Sequence, residues 1–458
     1  MARSDQLKIA FYGDDITGST DAMEALVLAG VPTVLFFEPP TAEQVNEQFP
    51  DIEAVGLAGM SRTMTTAEMD AALPGAFASL KALGAPLTHY KVCSTFDSSP
   101  ESGSIGRALD IGAEIFEPAF VPVTVGAPKL KRFVVFGNLF ATIDGETYRI
   151  DRHPVMSKHP VTPMDESDLR LHLGQQTDKK IGLLDIRQLE QPDLEVDLAL
   201  QKMVDEGFEA IILDTVDQSH LEKVGRLLSA LGQQEQCFVV GSSGVEFALT
   251  AYLRTKGEIK APQHFLSSGP REQVVAMSGS ASPYTASQIR WAFEHGFQGI
   301  QLASARLVDP ETVEREREAV IERAVQLIQE GHSVILYTAL GPDDPRIGTT
   351  KEKAKSLGLA AGRVGEILGT QQGIILREIL KMTGLRRAAV AGGDTCGHVL
   401  KELSVYVLEF IIPLGLAAPL CRARAHDPAI DGMEIALKGG QLGDIDFFGC
   451  LKRGGDEG

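Results

Sequence analysis

The chain has 458 residues, long for one hydrophobic core, so two domains are expected. Its hydrophobic (44%) and charged (23%) fractions suit a globular protein, and a net charge of −19 argues against nucleic acid or a membrane surface, both polyanionic, as partner. An anionic ligand would have to be held by local cations, backbone N–H groups and a metal ion rather than by the overall field. The opening MARSDQLKIAFYGDD has no apolar run with a small-residue cleavage site, and no apolar stretch reaches 18 residues. Five scattered cysteines without a C-x-x-C suggest neither a disulfide framework nor a zinc site, so a cytoplasmic location is expected.

Short apolar runs at 8–13, 32–37, 54–59, 132–137, 180–186, 210–214 and 237–241 predict buried parallel strands, with helices between them, as at 19–29 and 67–83. A polar stretch over 256–272, with two prolines and little periodicity, reads as a linker between domains 1–255 and 273–458. The pattern restarts at 273–279, 299–304, 333–339, 387–393 and 434–440, and 310–330 reads as an amphipathic helix with a solvated charged face. The expected fold is α/β: two three-layer domains, each with a largely parallel sheet flanked by helices. Ligands in such sheets bind at the carboxyl ends of the strands, which is where the informative residues should fall.

GDDITGSTDA (13–22) follows the first strand and opens a helix. Asp14 and Asp15 are placed to face a crevice, and the turn offers an anion site, though one aspartate or Thr17 can equally be a helix cap. SGSASPYTASQI (278–289) offers Gly279, Ser280 and Ser282 for close approach of backbone amides to a phosphate; a plain serine-rich helix start fits as well. AGGDTCGHV (391–399) adds Gly392, Gly393, Asp394 and Thr395, and KGGQLGDIDFF (438–448) adds Gly439, Gly440 and Gly443. Three glycine-rich strand ends in one half point to a nucleotide pocket. There is no P-loop and no G-x-G-x-x-G. VVGSSGVEF departs from a nucleophile elbow at Val245, and His153 and His159 sit in a proline-flanked loop rather than at helical metal spacing.

Together these segments resemble the four-carbon acid sugar kinase family, whose A-D-D-x-T-G-A, K-x-D-S-T-x-R-G, S-G-S-x-S-x-x-T-x-x-Q-I, G-G-D-T and K-x-G-G-x-G-D-x-x-F-F signatures are matched across roughly 8–448. HPVMSKHPVTPMDESDL (153–169) and ILDTVDQSHL (212–221) also resemble family segments. The resemblance implies a sugar-acid-binding first domain, a nucleotide-binding second domain, and transfer of the γ-phosphate of ATP, with Mg²⁺, to a terminal hydroxyl of a short sugar acid. It implies catalysis by Asp14 or Asp15 and substrate binding by Arg62, Lys91, Ser94 and Thr95. It implies nucleotide contacts from Ser280, Ser282, Gly392, Gly393, Asp394, Thr395, Gly440 and Gly443, and Gly341 after the 333–339 strand is a further candidate. The metal ligands stay unassigned, and a homo-oligomer fits as well as a monomer.

One segment departs from the family pattern. Cys93 stands at its aspartate and Asp97 at its arginine, a lost cation for which Arg107 is one replacement. The expectation is a 3-oxo acid substrate, 3-oxo-tetronate or 3-oxo-isoapionate, with compensated drift on an unchanged tetronate as the alternative. A non-catalytic sugar-acid and nucleotide-binding regulator is the rival from another class, and an aldolase or isomerase the rival enzyme.

Overall fold

A computed structural model describes residues 6–143, 145–159, 161–259 and 265–455. The first five residues, Pro160 in the 153–169 segment, and 260–264 within the expected linker lie outside the described residues. The chain divides into two compact units, Met1–Gln263 and His264–Gly458. Among the described residues no helix is long and apolar enough to cross a membrane.

The first unit is built on strands β1 (Ile9–Gly13), β2 (Thr33–Phe36), β3 (Ala54–Ala58), β4 (Leu87–Lys91) and β5 (Val121–Thr124). The meander β6 (Arg132–Val135), β7 (Asn138–Ile143) and β8 (Glu146–Arg149) follows, then β9 (Ile181–Leu184), β10 (Ala210–Leu213) and β11 (Cys237–Gly241). Eight of them form a parallel sheet in the order β2-β3-β1-β4-β11-β5-β10-β9. Most of these strands are buried along their whole length, as a sheet covered on both faces requires. Tyr12, Phe77, Tyr90, Phe116 and Phe238 stack through the core beneath the β1–β4 pair, with ring centroids 5.2–5.9 Å apart.

Two details of this unit differ from the sequence expectation. The 132–137 run was expected in the parallel sheet, yet it opens the antiparallel meander β6-β7-β8. Its residues are only partly buried, and Phe136 and Gly137 both take positive φ (50° and 78°), the backbone of a tight two-residue hairpin. The Asp214 carboxylate, just past β10, accepts the N–H groups of Phe136 (2.6 Å), Gly137 (2.9 Å) and Ile186 (3.1 Å) and so pins that turn. Conversely, β4 escaped notice because Thr-His-Tyr-Lys reads as polar. His89 is nevertheless fully buried, bridging Glu246 (2.7 Å) and the Gly241 carbonyl (3.0 Å).

The second unit comprises β12 (Val275–Ser278), β13 (Gln298–Gln301), β14 (Val334–Tyr337), β15 (Arg387–Ala391), β16 (Val405–Pro413), β17 (Pro419–Ala425) and β18 (Glu434–Lys438). Their order is β13-β14-β12-β15-β18-β17-β16. The first five of these positions are parallel; β17 and β16, not among the strands expected from the sequence, run antiparallel. The 310–330 helix spans Val313–Gln329, its charged face outward and Val320, Ala324, Val325, Leu327 and Ile328 buried. Each unit is thus an α/β layer structure with a mainly parallel sheet. In each, the chain passes from its first strand to the far strand on one side, steps back to the strand between them, and then crosses to the other side of the first strand. The reversal leaves a crevice between β1 and β4 in the first unit and between β12 and β15 in the second.

Candidate active site

Asp14 follows β1 directly, and its N–H donates to the Lys91 carbonyl at the end of β4 (2.9 Å), so the first aspartate stands at the chain reversal. Arg62, in the turn after β3, donates Nε to Asp14 Oδ2 (3.1 Å) and Nη2 to Asp14 Oδ1 (2.8 Å), and Nη2 also reaches Asp15 Oδ1 (3.1 Å). Asp15 is the N-cap of the helix Ile16–Ala29, accepting from Gly18 N and Thr17 Oγ1, each at 2.8 Å. The two readings of the aspartate pair therefore divide between its members: one caps, the other is free of that task. Gly18 is required here, because a Cβ would meet Asp15 Oδ1 at 2.2 Å and Lys91 Nζ at 2.9 Å.

The same environment separates the two carboxylates electrostatically. Burial raises Asp14 to about 6, since Arg62 only partly offsets the loss of water and the neighbouring Asp15 adds to the rise. Burial also works upward on Asp15, but Arg62, Lys91 and the cap hydrogen bonds outweigh it and the net shift is downward. Lys91 stays a cation: burial disfavours its charge, and Asp21 (3.5 Å), Asp15 and Asp14 more than restore it. Asp21 also accepts from Ser243 in the turn after β11.

The departing segment 93–97 is tied to this cluster. Thr95 Oγ1 lies against both Cys93 Sγ (2.9 Å) and the Asp97 carboxylate. Burial pushes the Cys93 thiol up, and Asp97 adds to that rise. Phe96 holds a left-handed φ of 56°, a local strain of the kind found where a loop is pinned for function. Ser94 occupies the same turn, part-buried. Arg107 does not replace the lost cation, because its Nε is engaged by Asp70 at 2.5 Å.

In the second unit the nucleotide-side candidates gather at the ends of adjacent strands β14, β12, β15 and β18. Gly279 N donates to the Ala391 carbonyl (3.0 Å) and Gly392 N to the Lys438 carbonyl (2.9 Å), stitching three turns together. A Cβ on Gly440 would meet Ser280 Oγ at 2.7 Å and Ser282 Cβ at 3.2 Å; one on Gly279 would strike Thr395 Oγ1 at 2.0 Å. Gly392 has φ 124° and leaves the helix Gly393–Glu402 without a side-chain cap, so its first N–H groups remain for an anion. Ser282 instead caps its own helix, accepting from Tyr284 N. Asp394 is exposed on the first turn, and Gly341 (φ 115°) lies in the loop beyond β14.

Three residues inside the quoted motifs were not singled out. Gln288 Nε2 donates to the carbonyls of Leu442 (3.1 Å), Gly443 (3.2 Å) and Asp444 (2.8 Å). Thr285 Oγ1 donates to the Gly440 carbonyl (2.7 Å), and buried Lys438 donates to Thr285 Oγ1 (3.0 Å) and the Gly439 carbonyl (2.9 Å). Burial pushes the Lys438 ammonium down to about 8. These donors hold the turn's carbonyls inward, and Leu442 N closes the turn on the Gly439 carbonyl (3.3 Å). The position of Gln288 and Thr285 at helical spacing behind Ser282 was the available signal. Gln288→Leu should leave three carbonyls without that donor and raise KM for ATP by about tenfold, with kcat little changed, in steady-state kinetics.

The residues present fit a bound nucleotide phosphate, for the glycine cradle would be filled by any Cβ. Among the described residues no group of three His, Cys, Asp or Glu is arranged to hold a metal.

A two-unit α/β protein with paired carboxylates on one unit and a glycine-lined anion cradle on the other defines a phosphoryl-transfer class. Comparison with known proteins agrees: residues 9–249 match the sugar-binding N-terminal domain family and 275–448 the nucleotide-binding C-terminal domain family. A 3-oxo-isoapionate kinase of Paraburkholderia graminis is 45% identical over 98% of this chain and 94% of its own. A 3-oxo-tetronate kinase of Pseudomonas savastanoi pv. phaseolicola is 28% identical over 95% and 94%. A crystal structure from Salmonella typhimurium, carrying a provisional tRNA synthase name, superposes with a TM-score of 0.76 at 26% identity over 98% of this chain and 99% of its own. The chain belongs to the four-carbon acid sugar kinase family.

Proposed function

We propose that this chain transfers the γ-phosphate of ATP to a terminal hydroxyl of a 3-oxo sugar acid, 3-oxo-isoapionate first among them, with Asp14 as general base. The observation that carries the substrate is the 45% identity, over nearly the full length of both chains, to a 3-oxo-isoapionate kinase, against 28% to a 3-oxo-tetronate kinase. The departure at Cys93 and Asp97 supports a substrate other than a plain tetronate.

Asp14 suits the base because burial holds it near 6, close to working pH, whereas Asp15 is committed to its helix and shifted the other way. Asp14 accepts the hydroxyl proton as the hydroxyl oxygen bonds to the γ-phosphorus and the bond to the bridging oxygen breaks, releasing ADP. Arg62 keeps that carboxylate oriented. On the second unit, the turns at 279–282, 392–395 and 439–443 hold the phosphates through backbone N–H groups. Asp394, exposed on the first turn of the Gly393–Glu402 helix, would help hold a Mg²⁺ ion, which would supply charge neutralisation for the transferred phosphate. We read the sugar-acid domain as 1–255 and the nucleotide domain as 273–458.

A coupled ADP-release assay tests this with 3-oxo-isoapionate, 3-oxo-tetronate, D-threonate, L-threonate and D-erythronate. The expected result is a kcat/KM at least about tenfold higher for a 3-oxo acid, the scale of discrimination that one polar group supports. Preference for a plain tetronate overturns the substrate assignment, and ATP-independent turnover overturns the kinase.

A further inference from the structure

A sugar acid brings a carboxylate, and the first unit's evident cations are mostly engaged with its own acids. Arg62 commits Nε and Nη2 to Asp14 and Asp15, Lys91 lies against Asp21, and Arg107 against Asp70. Arg132, the first residue of β6, is different. Its Nη1 donates to the carbonyls of Leu130 (3.0 Å), Lys131 (3.2 Å) and Thr142 (3.4 Å), which fixes the guanidinium in place. Its Nε is buried with no hydrogen-bond partner among the described residues. Among the described residues no carboxylate supports its charge, and the Cys93 thiol near it is kept neutral by burial. A buried donor left unpaired is costly, and a partly buried cation without a counter-charge more so, unless a ligand supplies the partner.

The location agrees. Arg132 exchanges backbone hydrogen bonds with Ala127, three residues past the end of β5 (3.0 and 3.2 Å), so it stands at the same carboxyl edge of the sheet as the Asp14–Arg62 pair, and Cys93, two residues beyond Lys91 at the end of β4, interacts with both arginines. His153 is its neighbour: burial and then the Arg132 charge hold that imidazole below its ordinary value. His153 Nδ1 accepts from the N–H groups of Val155 and Met156 (both 3.2 Å), which leaves Nε2 as the donor of the neutral ring. The meander that carries Arg132 is itself pinned by Asp214.

We propose that Arg132 binds the carboxylate of the sugar acid, supplying the cation that Asp97 lacks, with His153 as a second donor beside it. This deepens the proposed function and rests on it. It also explains how Asp97 is tolerated: Thr95 and Cys93 occupy that side, and the substrate's charge is met from the meander instead.

The test compares the preferred 3-oxo acid with its uncharged counterpart, the ketose carrying CH2OH in place of the carboxylate (erythrulose for 3-oxo-tetronate). Wild type, Arg132→Met and Arg132→Lys are measured, with thermal melts alongside. For the acid, Arg132→Met should lower kcat/KM by about 10–100-fold, chiefly through KM, as expected for a lost charged hydrogen bond. Arg132→Lys should recover part of that loss. The ketose should change by less than about threefold, the range of a neutral surface change, and KM for ATP should stay put. An equal loss on acid and ketose, or an unchanged KM for the acid, overturns the assignment. Should Arg132→Met not fold, the acid-to-ketose ratio in Arg132→Lys decides alone. Wild-type enzyme inactive on every sugar acid overturns the proposed function and this inference with it, whereas active wild type with unaffected variants overturns only the role of Arg132.

Discussion

Asp14→Asn is expected to lower kcat by about 10²–10⁴, the usual cost of losing a general base, while the protein stays folded. The pH profile separates this from a general disturbance. In wild type, kcat/KM should fall as pH drops through about 6, because protonated Asp14 can no longer accept the hydroxyl proton. In the variant that acid limb should vanish from the residual activity. Stability runs the other way over the same window. The folded state holds the Asp14 proton more tightly than the unfolded chain, so this group's contribution is fully present below about pH 4 and is lost as pH rises through about 6. Asp15→Ala removes a charged partner of Arg62 and the side-chain helix cap, and should destabilise by about 1 kcal/mol in urea titration with the acid limb retained. If Asp14→Asn keeps near-normal kcat, the base lies elsewhere.

Gly392→Ala should weaken Mg·ADP binding by on the order of 10–100-fold in calorimetry, the range that one to three kcal/mol of backbone strain supports. At φ 124° an alanine is strained whatever the surroundings, and its Cβ would sit 3.0 Å from Thr395 Oγ1 and 3.3 Å from Ser280 N. Relief must move the turn that carries the uncapped helix N–H groups. Sugar-acid binding to the first unit, read separately by titration without nucleotide, should not change. Unaltered ADP affinity would remove this turn from the nucleotide site.

Several site residues were legible because their signal is local. A buried apolar run, a small-residue turn and a helix start lie within a dozen residues, so GDDITG, SGSAS, AGGDT and KGGQLG announce strand ends wherever the strands go. The antiparallel direction of β16 and β17 was not legible: VYVLEFIIP is apolar enough for a strand, but its direction is set by pairing with β17, and that of β17 by pairing with β18. Arg132 was missed for a similar reason. Its meander reads as one more apolar strand, and nothing near it in sequence marks an arginine without a counter-charge.

The sequence by itself determined the α/β class, the strand-end turns and the resemblance to sugar acid kinases, because each depends on spacing within one short segment. Which aspartate acts as base was decided only by tertiary structure. Asp14 and Asp15 are chemically identical neighbours, and they part company because Arg62, forty-eight residues away, takes both oxygens of one while the other caps a helix. The inward anchoring of the 439–444 turn by Gln288, more than 150 residues distant, is likewise a product of packing. Strand order places β1 beside β4 and β12 beside β15, and burial at those junctions sets the charge states. Both arise from contacts between distant segments, which the order of residues along the chain does not display.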